Sequence, residues 1–358
     1  MSIGELILWG AVKFVAIVFG WVMLVATVLT YLERKQSAAM QNRVGPNRAW
    51  VMGKKFPLSA AIGQILSDAV KVLVKEDTEP PKGGNKWLHQ ISPALALVPA
   101  MMLWLVIPFG PGPMPGAEGE NWFLIADVNV GLLFMFAVLS ISVYGGVIGA
   151  WASNSGFSLL GGMRVGAQMI SYEVTLGLNL VGIFMIFGSM RLNDIVWGQG
   201  ELAWGIVVQP VAFILFMVAS IAETKRAPFD MPEAESELVA GYFTEFSSMR
   251  FAVFSLSEFI GIVAVAAVGA LCFLGGWQIP WVETPVDEAG VPIYGWITVA
   301  QVAIFLAKMV FLVWLQQQLR WTLPRFRYDQ VMKLGWVYLL PLSLLNLFVT
   351  MIVMYLAR

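Results

Sequence analysis

Positions 223–242 read ETKRAPFDMPEAESELVAGY and set five carboxylates, Glu223, Asp230, Glu233, Glu235 and Glu237, within fifteen residues of a chain that is 58% hydrophobic and 13% charged. Burial raises a carboxyl's pKa and a neighbouring cation lowers it, so carboxylates gathered where water is scarce can exchange protons near neutral pH. Three more ionisable groups fall inside apolar stretches: Glu173 in ISYEV, Glu258 eight residues beyond Arg250, and Lys308. A charge at the centre of a membrane helix costs about 2.5–3.5 kcal/mol on insertion scales, and such groups usually face a bundle interior or wet cavity and mark ion or proton paths. A chain of them could relay protons. The bland alternatives are mutual pairing and snorkelling, and for Glu223, at a helix end, snorkelling has equal standing. An acidic loop taken by itself is also a solvated surface or a docking site for a basic partner.

Holding such groups requires a membrane bundle, and the composition supplies one. With 358 residues and a mean hydropathy of +0.75, the chain lies outside the range of soluble domains. Its formal charge of −1 says nothing about partners, and the composition gives no hint of nucleic acid. One cysteine, Cys272, and one histidine, His89, rule out an internal disulfide and are too few for an iron–sulfur cluster, a bis-histidine haem or a zinc site. Any redox cofactor must come from elsewhere, and no metal site is expected. His89 reads as an interfacial residue.

A spanning helix needs about 20 mostly apolar residues. Eight stretches qualify, near 8–31, 91–110, 129–151, 170–188, 206–222, 251–274, 297–318 and 335–356. The start, MSIGELILWGAVKF, lacks a basic leader and reads as a retained first span. Eighteen of the 22 Lys and Arg residues fall in loops on one face. The excess of basic residues in cytoplasmic loops makes that face cytoplasmic and puts both termini outside. The expected fold is therefore all-α: a single polytopic membrane domain, 1–358, with eight transmembrane helices. Its first cytoplasmic loop, 33–90, carries an amphipathic interfacial helix over about 57–75, with Leu58, Ile62, Ile65, Leu66, Ala69 and Leu73 on one side and Asp68, Lys71 and Lys75 on the other. A second cytoplasmic loop, 223–250, is acidic. There Pro228 and Pro232 break the helix and force a re-entrant or surface loop, after which helix could resume with Glu233 and Glu237 on one face. The basic runs YLERKQSAAMQNRVGPNR and LRWTLPRFRYDQ read as headgroup anchors, the second also as a partner interface.

Four blocks, YLERK with QNRVGPNR, SLLGGMRVGAQMISYEV, AETKRAPFDMPEAESELVAGYFTEFSSMRFAVF and RFRYDQVMKLGW, run in order over nearly the whole chain. Together they resemble the membrane subunit of respiratory complex I that forms the quinone chamber. The resemblance implies a subunit of proton-pumping NADH:quinone oxidoreductase, with quinone as substrate and no cofactor or catalytic residue in this chain. NADH, FMN and iron–sulfur clusters would belong to partner subunits. By similarity, Glu33, Arg34, Asp68, Lys71 and Arg320 line or flank the quinone channel. Asp230, Glu233, Glu235 and Glu237, with Glu223, Glu173 and Glu258, would lead from the chamber to a buried polar axis, and Lys308 matches a lysine of the seventh span. The implied partners are the other membrane and peripheral complex I subunits and the lipid bilayer. The implied location is a bacterial inner membrane with periplasmic termini. Departures from the pattern fall at Phe243, Phe246, Gly156, Phe157 and Ser140, the last at a place that is acidic in some members. The equivalent subunit of a membrane-bound hydrogenase or of a complex fed by another donor, a stand-alone cation or solute transporter and a structural scaffold are the competing readings.

Overall fold

A computed structural model describes residues 3–50, 57–117, 119–233 and 235–356, and the side chains of all of these except 3–7, 57, 58, 235 and 236. Among the described residues, seven helices are long and apolar enough to cross a membrane: Leu8–Met40, Lys86–Leu105, Gly131–Ala152, Gly156–Phe187, Ser248–Phe273, Trp296–Thr322 and Tyr328–Leu356. The chain forms a multi-pass membrane protein because in hydrocarbon a helix satisfies its backbone groups internally. The fifth expected crossing is a shorter apolar helix, Pro210–Glu223, of 14 residues, entered through a single turn at Gly205–Val208. At about 1.5 Å per residue it spans about 21 Å, less than the hydrocarbon core. Counting this helix as the fifth, the spans are named first to eighth in chain order.

Two helices outrun their expected limits. The first span has 33 residues, so at about 1.5 Å per residue it extends roughly 20 Å past a 30 Å hydrocarbon core. It carries Glu33, Arg34 and Lys35 beyond the bilayer on a rigid helix. The fourth begins at Gly156 instead of near 170. Its glycine-rich opening, GFSLLGGMRVGAQM, lies against the acidic loop, and a Cβ at Gly161 would sit 2.5 Å from the Tyr242 nitrogen. Only glycine allows that approach.

The sixth span is the hub, packing against the first, second, fifth and seventh and against the amphipathic helix. Its run IGIVAVAAVGALCF is buried almost throughout, and its small residues let neighbouring backbones close in. The eighth span stands at the periphery; Ser343 and Thr350 are the buried residues of Leu340–Leu356. Ion pairs and caps group the helix ends into two sets. Arg34, Arg164, Arg226, Arg250 and Arg320 make their contacts at one end, and Lys13 with Glu120, Arg191 with Asp127, and Lys308 at the other. The first is the basic end.

The amphipathic helix runs Pro57–Val74, as expected. Its orientation differs from the expected one. Asp68, expected on the water side, turns to the body of the protein. The reason is electrostatic: Arg34 on the extended first span donates to Asp68 at 2.6 Å, and Gln64 donates to the same carboxylate at 3.1 Å.

Candidate functional site: a charged chamber at the basic end

The acidic loop is folded tightly enough to place its groups. Gln168 of the fourth span donates from one amide nitrogen to the carbonyls of Ala222 and Phe229, at 2.7 and 2.8 Å, and so pins both legs of the turn. The Ala227–Pro228 peptide is cis. Gly241 has φ +55, and a Cβ there would fall 1.7 Å from the carbonyl oxygen of Pro232. No other residue fits, because L side chains are disfavoured at that φ and the space is filled.

Two clusters result. In the first, the buried Glu33 carboxylate lies between two guanidiniums, accepting from Arg226 Nη1 at 3.4 Å and pairing with Arg320. Arg226 also lies over the Phe259 ring, 4.5 Å from its centroid. Glu33 borders a groove of about 520 Å³ between the first span, the amphipathic helix and the sixth span, together with Thr30, Arg34, Asp68 and Phe259. Of the residues expected at a quinone channel, Glu33, Arg34 and Asp68 share this wall, and Arg320 joins through Glu33. Lys71 is exposed on the amphipathic helix and does not line the groove.

In the second cluster, Glu258 accepts from the Tyr242 hydroxyl at 2.8 Å and lies 3.6 Å from the Lys225 ammonium, which is itself 3.4 Å from the Tyr242 oxygen. Glu223 is 3% exposed and neither of its oxygens has a hydrogen-bond partner among the described residues. Glu223, Lys225 and Glu258 line one cavity of about 50 Å³, with Ser142 and Ser257. About 10–15 Å³ by this measure holds a water, so the cavity can be hydrated. Glu233 completes the group. Its burial, with the Glu258 and Asp230 carboxylates adding repulsion, pushes it up to about 8 against the pull of Arg226 and Lys225. Burial beside Glu258 and Glu233 also holds the Tyr242 phenol well above its ordinary value.

The remaining expected residues are spread around these clusters. Glu173 bonds to the Ser140 hydroxyl, so the residue standing where an acid occurs in some members is a direct partner of this carboxylate. Glu237 is exposed and pairs with Arg164 at 2.7 Å, which holds its carboxyl below the usual range. The Asp230 carbonyl accepts from Arg325 at 2.9 Å. Glu235 opens the short helix Glu235–Leu238, and its side chain lies outside the described residues. Lys308 stands apart at the opposite end, donating to the carbonyls of Leu274, Gly276 and Gln278 at 2.7, 2.9 and 2.8 Å, over the Trp204 ring. His89, one turn into the second span, is fully buried, stacked on Phe246 at 4.1 Å and 3.1 Å from Arg250.

Sequence reasoning missed Lys225, Arg226 and Tyr242 as site residues. The signal was present in KR directly after Glu223 and in the tyrosine closing the same stretch, but cations at a membrane face read first as anchors.

The family model described as NADH dehydrogenase matches residues 12–351. The chain belongs to the NADH dehydrogenase family. It is similar to a NADH-quinone oxidoreductase subunit of Geobacter metallireducens, 45% identical over 336 residues that cover 94% of each chain. The corresponding protein of Geobacter sulfurreducens is 46% identical over 336 residues, and that of Cytophaga hutchinsonii 41% over 337, each with 94% of both chains covered. The resemblance read from the four sequence blocks is thereby borne out at the level of the family.

The titration of Glu233 has a checkable sign. Its folded pKa of about 8 lies above the ordinary value of 4.5, so below about 4.5 its contribution to stability is fully present, and it is lost as pH rises through 8. The thermal midpoint of the assembled complex should therefore fall between about pH 4.5 and 8, and Glu233→Gln should flatten that fall. An identical pH profile in the variant would contradict the assignment.

Proposed function

We propose that this chain is the quinone-chamber membrane subunit of a proton-pumping NADH:quinone oxidoreductase, set in a bacterial inner membrane with both termini on the periplasmic side. The observation that carries this reading is the division of two adjacent residues between two clusters. Arg226 faces Glu33 at the groove, while Lys225, its neighbour, faces Glu258 and Tyr242.

Conversion of a quinone to a quinol takes up two electrons and two protons. The electrons are delivered by iron–sulfur clusters of partner subunits, which also hold NADH and FMN. The groove beside Glu33 is the right kind of space for an apolar quinone tail, open between helices and walled by apolar side chains with a few polar groups. Negative charge building on the headgroup competes with Glu33 for Arg320 and Arg226, because charges in a low-dielectric interior interact strongly. Arg226 and Lys225 are adjacent in the loop, so a displacement that reaches the loop backbone, and not only the Arg226 rotamer, moves both. Lys225 then changes the field at Glu258, whose neighbours Glu223, Glu233 and Tyr242 can pass a proton through the hydrated cavity. Asp230, Glu235 and Glu237 complete the acidic loop from the groove toward this axis, and Glu173 continues it toward neighbouring membrane subunits. In this reading Lys71 supplies positive charge at the groove's rim, and Lys308 acts from the middle of the seventh span at the far end of the sixth.

A photoreactive quinone tests the reading. In the intact complex, label should map to the peptides bearing Arg34 or Asp68, or to the 223–242 loop. Label confined to loops at the opposite end would overturn it.

A further inference from the structure

The first span is grooved on two faces. Thr27, Thr30, Glu33 and Arg34, spaced three and one apart, border the chamber groove. Trp21, Leu24, Val28, Leu32, Lys35 and Ala39, spaced three and four apart, fall on the opposite side of the helix and border a second groove of about 460 Å³. Its other wall is the seventh span from Met309 to Gln317, and Val263 of the sixth span lies between them. From Trp21 to Ala39 the groove follows the helix for about 27 Å, longer than half the hydrocarbon thickness and so long enough for the acyl chain of one leaflet.

Along most of that length the walls are apolar. At the basic end they are not: Lys35, Gln36 and Gln317 close the groove. The side-chain amide nitrogens of Gln36 and Gln317 are buried and have no hydrogen-bond partner among the described residues. The Lys35 ammonium donates one hydrogen bond, 2.7 Å to the Val44 carbonyl, which leaves two donors and the full charge. No carboxylate lines the groove among the described residues. The closed end therefore presents donors and positive charge, and a buried donor left unmade is costly. A ligand that answers this pattern has an apolar chain and, at one end, several acceptor oxygens bearing negative charge. A quinone has the chain and carbonyl oxygens, but its headgroup is neutral and leaves Lys35 without a counter-charge. Membrane helices of a partner subunit have already spent their carbonyls on their own backbone.

We infer that the second groove holds one anionic phospholipid, its acyl chain lying between the first and seventh spans and its ester and phosphate oxygens accepting from Gln36, Gln317 and Lys35. The lipid would act as a spacer. It fills the side of the first span that faces away from the chamber, and Gln317 also borders the small cavity formed with Glu33, Arg226 and Arg320. The headgroup would thus lie one side chain from the charged cluster. The inference stands on the groove and its donors and does not require the chamber to accept a quinone.

The test uses the intact complex in phosphatidylcholine vesicles carrying a trace of either phosphatidylglycerol or phosphatidylcholine with a photoreactive acyl chain. Labelled peptides are then mapped. The phosphatidylglycerol probe should mark both Trp21–Ala39 and Met309–Gln317, about fivefold above the phosphatidylcholine probe, the ratio that about 1 kcal/mol for one basic side chain at an anionic surface gives. Lys35→Gln should bring the two probes level on these peptides, and Val28→Trp, which fills the groove, should lower both there while leaving labelling elsewhere unchanged. Equal labelling by both probes that Lys35→Gln does not alter would overturn the anionic headgroup. Absence of label from both walls, with cross-links to a partner helix instead, would overturn the lipid. Lys35→Gln sits at the water-exposed end of the helix, so the headgroup arm stands even if Val28→Trp disturbs packing.

Discussion

Glu33→Gln is expected to lower NADH:quinone turnover by about 100-fold, while electron transfer from NADH to a soluble acceptor, which bypasses the membrane subunits, stays unchanged. The carboxylate is buried, and Arg226 and Arg320 both converge on it. Removing one member of a buried ion pair leaves the other charge uncompensated, at a cost of about 3–5 kcal/mol. Here two guanidiniums lose the same counter-ion and repel each other. Where that repulsion displaces the loop backbone at Arg226, the adjacent Lys225 and its partner Glu258 are displaced with it. Glu33→Asp keeps the charge and should recover part of the rate. Turnover within twofold of wild type in Glu33→Gln would remove this carboxylate from the mechanism.

The second large effect is expected at Glu223. Glu223→Gln preserves side-chain volume in a position that is 3% exposed, and neither oxygen has a hydrogen-bond partner among the described residues to lose. The packing cost is therefore small. What the amide cannot do is accept and release a proton, and loss of a positioned proton-transfer group lowers rates by about 10²–10⁴-fold. Proton translocation per NADH oxidised should drop by at least about tenfold, with quinone turnover slowed alongside it. Glu223→Gln combined with Glu258→Gln should lose little more than either alone, as expected for groups that act as a unit. A single variant that pumps at the wild-type ratio would show that protons pass this cavity by.

Most of the membrane fold was legible because apolar length is a strong signal and the loops are rich in glycine and proline. The misplacements each have a local cause. Residues 156–169 carry glycines at 156, 161, 162 and 166 and looked like loop. They are helical because the segment packs on both sides, Gly161 against the acidic loop at Gly241 and Tyr242, and Gly162 and Gly166 against Ala150 and Val147 of the third span. The helix Leu192–Glu201 was not expected, since its ten residues are too few and too mixed to stand out. Asp68 was assigned to water by periodicity, which sees one helix and not the arginine waiting on another. In the site, the acids were visible because carboxylates are rare in such a chain. Their partners were not, because the pairing of Arg226 with Glu33 spans 193 positions and no local pattern records it.

Lys308 bears on how the bundle comes together. Its ammonium gives its three donors to carbonyls of Leu274, Gly276 and Gln278, the first of them 34 residues earlier in the chain. A chain without this ammonium would leave three carbonyls at the corner without that donor. The turn from the sixth span to the seventh is therefore held by one side chain as well as by the packing of the two helices on each other.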